Sequence, residues 1–133
     1  MKNETSHESF VLRPSTIDAA GVGVFILHRV ARGTKMELFT EDFEEELRNA
    51  KELPEELHMF CLDQADGKLL CPKNFNRLDI GNYVNHSGAA NLRFDLAEGV
   101  YYAKRDIEKD EELFADYREL GEPEEMWEDY YNN

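Results

Sequence analysis

The sequence predicts a single, mainly β domain with short helices, and three observations predict it. The chain has 133 residues, enough to bury one core and too few for two ordinary domains. Short apolar runs recur between turns bearing Gly, Asn or Asp, with no internal repeat and no low-complexity linker. Hydrophobic residues make up 41% of the chain, with 8 Phe, 6 Tyr and 1 Trp, a globular rather than a disordered composition.

The elements follow in order. Residues 9–12 form a brief apolar run that stops before Pro14, and residues 24–27 form a continuous apolar strand after a turn bracketed by Gly21 and Gly23. Residues 35–40 alternate loosely around Met36 and Leu38, after the Arg32-Gly33 turn. Residues 41–51 predict an amphipathic helix: Phe43, Leu47 and Ala50 share a face, Thr40 suits the N-cap, and acids fill the first turn. Residues 58–62 and 68–71 predict a hairpin around Asp66-Gly67. Residues 72–88 are irregular, and residues 92–96 and 100–103 make a second hairpin through Glu98-Gly99. Residues 112–114 form one more strand, and Gly121-Glu122-Pro123 opens a terminal acidic helical turn with Met126 and Trp127.

Charge narrows the partner. The chain carries 29 Asp and Glu against 15 Lys and Arg, a net −14. Residues 41–56 hold eight acids and two bases, and residues 106–129 twelve acids and two bases, so the remainder is nearly neutral. Such acidity argues against direct binding of nucleic acid or an anionic membrane, both of which reward Lys and Arg. The two blocks are either solvated faces or a docking surface for a cationic substrate.

Targeting and cysteine signals are quiet. The start lacks the basic and apolar regions of a signal peptide, and the best apolar run, residues 22–27, is too short to span a bilayer. Cys61 and Cys71 have no Cys or His neighbours at zinc spacing, so no metal site is expected and a pair of reduced thiols is the default. The expected compartment is the cytoplasm, or the nucleus if the host is eukaryotic or the substrate a histone.

Three segments could carry chemistry. Gly21-Val22-Gly23-Val24-Phe25 lets a ligand approach backbone groups, but Ile26 replaces the third glycine of a dinucleotide fingerprint and a strand follows where a helix is needed. A plain turn is the alternative. Residues 81–91, Gly-Asn-Tyr-Val-Asn-His-Ser-Gly-Ala-Ala-Asn, crowd polar groups into one loop, as a structural hydrogen-bond network or a ligand site. Arg105-Asp106-Ile107 precedes Glu111-Glu112-Leu113-Phe114-Ala115-Asp116-Tyr117, whose tyrosine is core or rim unless it faces a cleft, where its phenol can orient an amine.

Together, in this order and spacing, these segments resemble the SET-domain family of protein lysine methyltransferases, from about residue 10 to Tyr117. The family's opening glycine motif matches residues 21–25. Its R-F-I-N-H-S-C-x-P-N segment matches residues 82–91, and its A-x-R-D-I-x-x-G-E-E-L-x-x-D-Y segment matches residues 103–117. The resemblance implies one SET domain over 1–133, with an insert at about 41–80 and an acidic segment at 118–133. It implies a β-clip fold with a C-terminal pseudoknot, a threaded connection that composition could not suggest. It also implies S-adenosyl-L-methionine as cofactor, held by Gly21, Val22 and Gly23 through backbone groups and by Asn85 and His86. Tyr117 would be the tyrosine at the methyl-transfer centre, and Phe39, Tyr83, Phe114 and Ala115 would lie along the lysine channel.

Departures from the pattern qualify this picture. A family Y-x-G motif falls on Phe39-Thr40-Glu41, so its tyrosine hydroxyl is missing. Gly88 and Ala90 replace Cys and Pro, and Asp110 replaces a turn glycine. Ala115, where many members carry Phe or Tyr, implies room for di- or trimethylation. Flanking zinc segments are absent, so Trp127, with Tyr130 and Tyr131, would close the channel or stack on adenine, or else anchor the terminal helix. A small unit of this kind could also complete its site as a homodimer. The resemblance leaves two functions open: a lysine methyltransferase acting on a basic protein or a Lys/Arg-rich tail such as a histone's, and a catalytically weak or inactive acidic module that binds basic proteins.

Overall fold

The glycine-flanked apolar run becomes the centre of a sheet. In the computed structural model, which describes residues 3–133, strand β1 (Phe10–Pro14) pairs antiparallel with β2 (Val22–Ile26). On its other edge β2 meets β10 (Glu112–Ala115), which in turn pairs parallel with β7 (Asn85–His86), giving the order β1-β2-β10-β7. Strands on both sides of β2 explain its continuous apolar character: Val24 and Ile26 are fully buried, each contributing about 2 kcal/mol.

Two further three-stranded sheets complete the β architecture. One has the order β3-β9-β8, from Lys35–Met36, Val100–Ala103 and Leu92–Asp95. The other has the order β4-β6-β5, from Glu45–Asn49, Lys68–Pro72 and Leu62–Asp63. The core joins β2 and β10 to the β3-β9-β8 sheet, with Met36, Leu38, Leu92, Ile107 and Leu113 buried at its centre.

Both predicted hairpins form. At the first, Asp66 and Gly67 both adopt positive φ, 61° and 70°, the conformation that makes Asp-Gly a hairpin signal. Its first arm is shorter than expected, because Glu55–Phe60 winds into a 3₁₀ turn and leaves only Leu62–Asp63 paired. Asp110 also adopts positive φ, 70°, a left-handed position that glycine favours and Asp tolerates. The predicted strand at 35–40 contracts to Lys35–Met36.

The helix expected over residues 41–51 is overturned. Glu45–Asn49 is a strand, held in a five-residue register against β6 from Glu45↔Pro72 to Asn49↔Lys68. Phe43, Leu47 and Ala50 do not share a face: Phe43 packs on Phe39, with ring centroids 4.5 Å apart, while Leu47 is 59% exposed. Thr40 caps no helix; its amide donates to Asp79 Oδ2 at 2.8 Å. All helical segments among the described residues are short 3₁₀ turns, including Tyr117–Glu119, Glu124–Met126 and Asp129–Asn132, and none is long and apolar enough to cross a membrane.

Candidate active site

The β7–β10 pairing brings the polar loop against the C-terminal tyrosine. Parallel register sets Asn85 beside Phe114 and His86 beside Ala115, so Tyr117 follows directly below the loop. Its amide donates to His86 Nδ1 at 3.0 Å. That bond places the histidine proton on Nε2, which donates to the Tyr131 carbonyl at 3.0 Å. Both ring nitrogens are thus used within the chain. The ring ties Tyr117 to Tyr131 and has no nitrogen left to hydrogen-bond a ligand.

Burial lowers the His86 pKa below 6.5, against a smaller opposing pull from the Tyr131 carbonyl. A base whose folded pKa is depressed stabilises the fold above its unfolded pKa and loses that contribution as pH falls. The melting temperature should therefore drop by a few degrees between about pH 7.5 and about pH 5.5. The drop should shrink in His86→Asn, and an equal drop in both proteins would assign it to other groups.

Tyr117 lines a cavity of about 720 Å³. Its hydroxyl donates to the Val84 carbonyl at 2.6 Å, and its ring contacts His86, Tyr130 and Tyr131 at centroid distances of 5.2, 6.4 and 5.5 Å. Burial, reinforced by Tyr130 and Glu122, pushes its phenol above the usual tyrosine range. At neutral pH this group is a hydrogen-bonding hydroxyl and not a phenolate base. The apolar wall includes Phe39 and Tyr101, and five carboxylates, Glu45, Glu55, Asp63, Glu122 and Glu128, also line the cavity, with no Lys or Arg among the lining residues. Glu122 is held by the Tyr131 hydroxyl at 2.6 Å and the Asp63 amide at 2.7 Å. Burial nevertheless raises its pKa.

The glycine turn lies on the other side of Asn85. The amide nitrogen of Asn85 donates to the Val22 carbonyl at 3.0 Å and to Glu112 at 3.2 Å. Two acceptors fix its orientation and leave Oδ1 without a partner among the described residues, available as an acceptor. Glu112, only 5% exposed, also accepts from the Ser15 hydroxyl at 2.8 Å and from the Thr16 amide and hydroxyl at 2.7 Å each. Burial alone would raise its pKa, but the bonds from Thr16, Asn85 and Ser15 outweigh that and hold it below 4.5. Gly23 is glycine because a Cβ there would strike the Glu112 carboxylate.

Sequence reasoning missed this network. Glu112 reads as one acid in an acidic block, and nothing in the sequence marks Ser15 and Thr16 as its partners. The available signal was Glu112's place in an otherwise apolar strand facing the glycine pair. Asn91 is a second buried clamp: it donates to the Glu112 carbonyl and accepts from the Phe114 amide, both at 2.8 Å.

The other expected site residues separate. Phe39 lines the cavity with Tyr117, whereas Tyr83, Phe114 and Ala115 lie outside its lining. Tyr83 packs edge-on against Phe60, with centroids 5.7 Å apart, and Ala115 is a core residue 1% exposed. Trp127 also lies outside, its indole donating to the Glu122 carbonyl at 3.2 Å, so the C-terminal aromatics at the cavity are Tyr130 and Tyr131. Gly88 donates its amide to the Asn133 carbonyl at 2.8 Å, and a Cβ there would meet the Asn133 backbone at 2.9 Å. That approach explains the missing side chain.

Comparison with known proteins agrees with this layout. The family model of the SET domain matches residues 21–118. A Plasmodium falciparum protein assigned to the histone methyltransferases superposes with a TM-score of 0.55 at 19% identity, covering 83% of this chain and 93% of its own. The methyltransferase domain of human PR domain-containing protein 2 superposes with a TM-score of 0.55 at 20% identity, covering 83% and 77%. No curated protein matches the chain.

Proposed function

The chain belongs to the SET-domain family, and from that premise we propose that it is an S-adenosylmethionine-dependent protein lysine N-methyltransferase acting on Lys/Arg-rich segments of basic proteins, histone tails among them. The observation that carries this reading is a protonated, buried Tyr117 phenol in an aromatic cavity whose charged lining is acidic.

The residues present fit the cofactor. Asn85 Oδ1 has a free acceptor for its ammonium group, and no atom lies within 4 Å of the position a Cβ would take at Gly21, so backbone is open to a ligand there. When bound, S-adenosylmethionine supplies an electrophilic methyl group on a sulfonium. The chain's task is to present a neutral amine to it. Lysine's ordinary pKa is about 10.4, and the aromatic wall disfavours its charged form. The carboxylates draw the ammonium to the cavity, and the wall strips its water. There the Tyr117 oxygen, whose proton is committed to Val84, accepts from the amine and orients it. Holding the amine in one orientation is then the chain's main contribution to a transfer that would depend largely on position.

Phe39, which lacks the family's hydroxyl, is the feature that favours the alternative of an inactive module binding basic proteins. Incubation with labelled cofactor and a panel of basic proteins, histones included, followed by peptide mass spectrometry, separates the two. Methylated lysines are expected. Calorimetric binding of basic proteins without cofactor binding or transfer would select the module. Transfer should also fall severalfold as salt rises above about 0.1 M, where the screening length is about 10 Å. A salt-independent rate would remove the acidic lining from substrate capture.

A further inference from the structure

The cavity contains a second phenol that the mechanism above does not use. Tyr101 stands on β9 and is 5% exposed, yet it lines the same cavity as Tyr117. Its ring stacks on Phe39, with centroids 6.5 Å apart and planes 16° from parallel, and tilts against Phe94 at 4.9 Å. Tyr102, Tyr117 and Tyr131 place their hydroxyls on Glu98, Val84 and Glu122, and Tyr130, the other tyrosine at the cavity, is 51% exposed. The Tyr101 hydroxyl has no hydrogen-bond partner among the described residues.

No fully buried side-chain nitrogen or oxygen among the described residues lacks a partner, so the Tyr101 hydroxyl, unpaired within the chain, opens onto the cavity. Phenylalanine fills the neighbouring positions 39 and 94. The hydroxyl is therefore open to a partner from outside the chain. Phe39, on which the ring stacks, is the position where a tyrosine hydroxyl is missing.

We propose that Tyr101 is a catalytic residue whose Oη hydrogen-bonds the substrate lysine amine, supplying from β9 the hydroxyl that Phe39 lacks. The inference rests on the lysine methyltransferase reading and deepens it. A neutral primary amine has two N–H groups and one lone pair. Tyr117 Oη and, with its own proton turned to cavity water, Tyr101 Oη accept one N–H each, which turns the lone pair away from both phenols. One phenol alone leaves the amine free to rotate about its single hydrogen bond.

The test uses the full chain labelled with ¹³C at tyrosine Cζ. Resonances are assigned through Tyr101→Phe and Tyr117→Phe, and Nα-acetyl-lysine methyl ester is the probe. Shifts at both Tyr101 and Tyr117 are the expected result. A shift at Tyr117 alone overturns this inference and leaves the methyltransferase reading standing. No shift at either overturns both. Tyr101→Phe should weaken probe binding about threefold to tenfold, one hydrogen bond's worth, while its melting temperature stays level or rises. A lowered melting temperature with unchanged probe binding marks a purely structural side chain and overturns the inference.

Discussion

Tyr117→Phe is expected to slow methyl transfer about a hundredfold to a thousandfold, the loss seen when one preorganised polar group is removed at a reacting centre. The ring remains in its cage of His86, Tyr130 and Tyr131, so the cavity keeps its shape. Only the oxygen that would hold the amine goes, together with its bond to Val84. That bond should cost stability about 1 kcal/mol. Cofactor affinity should stay within about twofold, because the Asn85–Glu112 side of the site does not involve the phenol. Single-turnover rates and calorimetry read the two quantities separately. A near-native rate would remove Tyr117 from the reacting centre.

The second large effect is expected at Glu112. Glu112→Ala strands the Ser15 hydroxyl, the Thr16 amide and hydroxyl, and one bond of Asn85. Each buried donor left unsatisfied costs about 1–3 kcal/mol, so the melting temperature should fall by roughly 5 °C or more. Cofactor affinity should fall with it, since Asn85 is then anchored only through Val22. Glu112→Gln keeps the shape and should cost less, while changing the acid limb of the stability curve. A carboxylate with a depressed folded pKa stabilises above about pH 4.5 and loses that contribution as pH falls through its folded value. Acid unfolding should therefore depend less steeply on pH in Glu112→Gln, and an unchanged limb would contradict the network.

What was legible in the sequence was local chemistry. Asp66-Gly67 and Glu98-Gly99 marked their hairpins because turn conformation is decided by the turn residues themselves. The Asn85-His86 and Tyr117 segments were legible as motifs, and β7–β10 pairing brings them together. What was hidden depends on distant partners. Residues 41–51 carried helical spacing, but pairing with β6, some twenty residues away, decided their conformation. Glu112 looked like surface because its type usually is, and only Ser15 and Thr16, nearly a hundred residues earlier, make its burial affordable. Tyr101 read as one more apolar strand residue, since nothing local distinguishes a phenol that faces a cavity from one that faces the core.

The β4-β6-β5 sheet shares no strand with the other two sheets. Among the residues described above, it and its connections bring Glu45, Glu55 and Asp63 to the cavity, and the Asp63 amide ties it to the Glu122–Tyr131 pair, but nothing of it reaches the Gly23–Asn85–Glu112 network. Residues 45–72 therefore supply one wall of the cavity, apart from the Gly23–Asn85–Glu112 side. On the methyltransferase reading proposed above, exchanging the acids of this hairpin is expected to alter which basic segments bind more than it alters the Asn85–Glu112 side of the site.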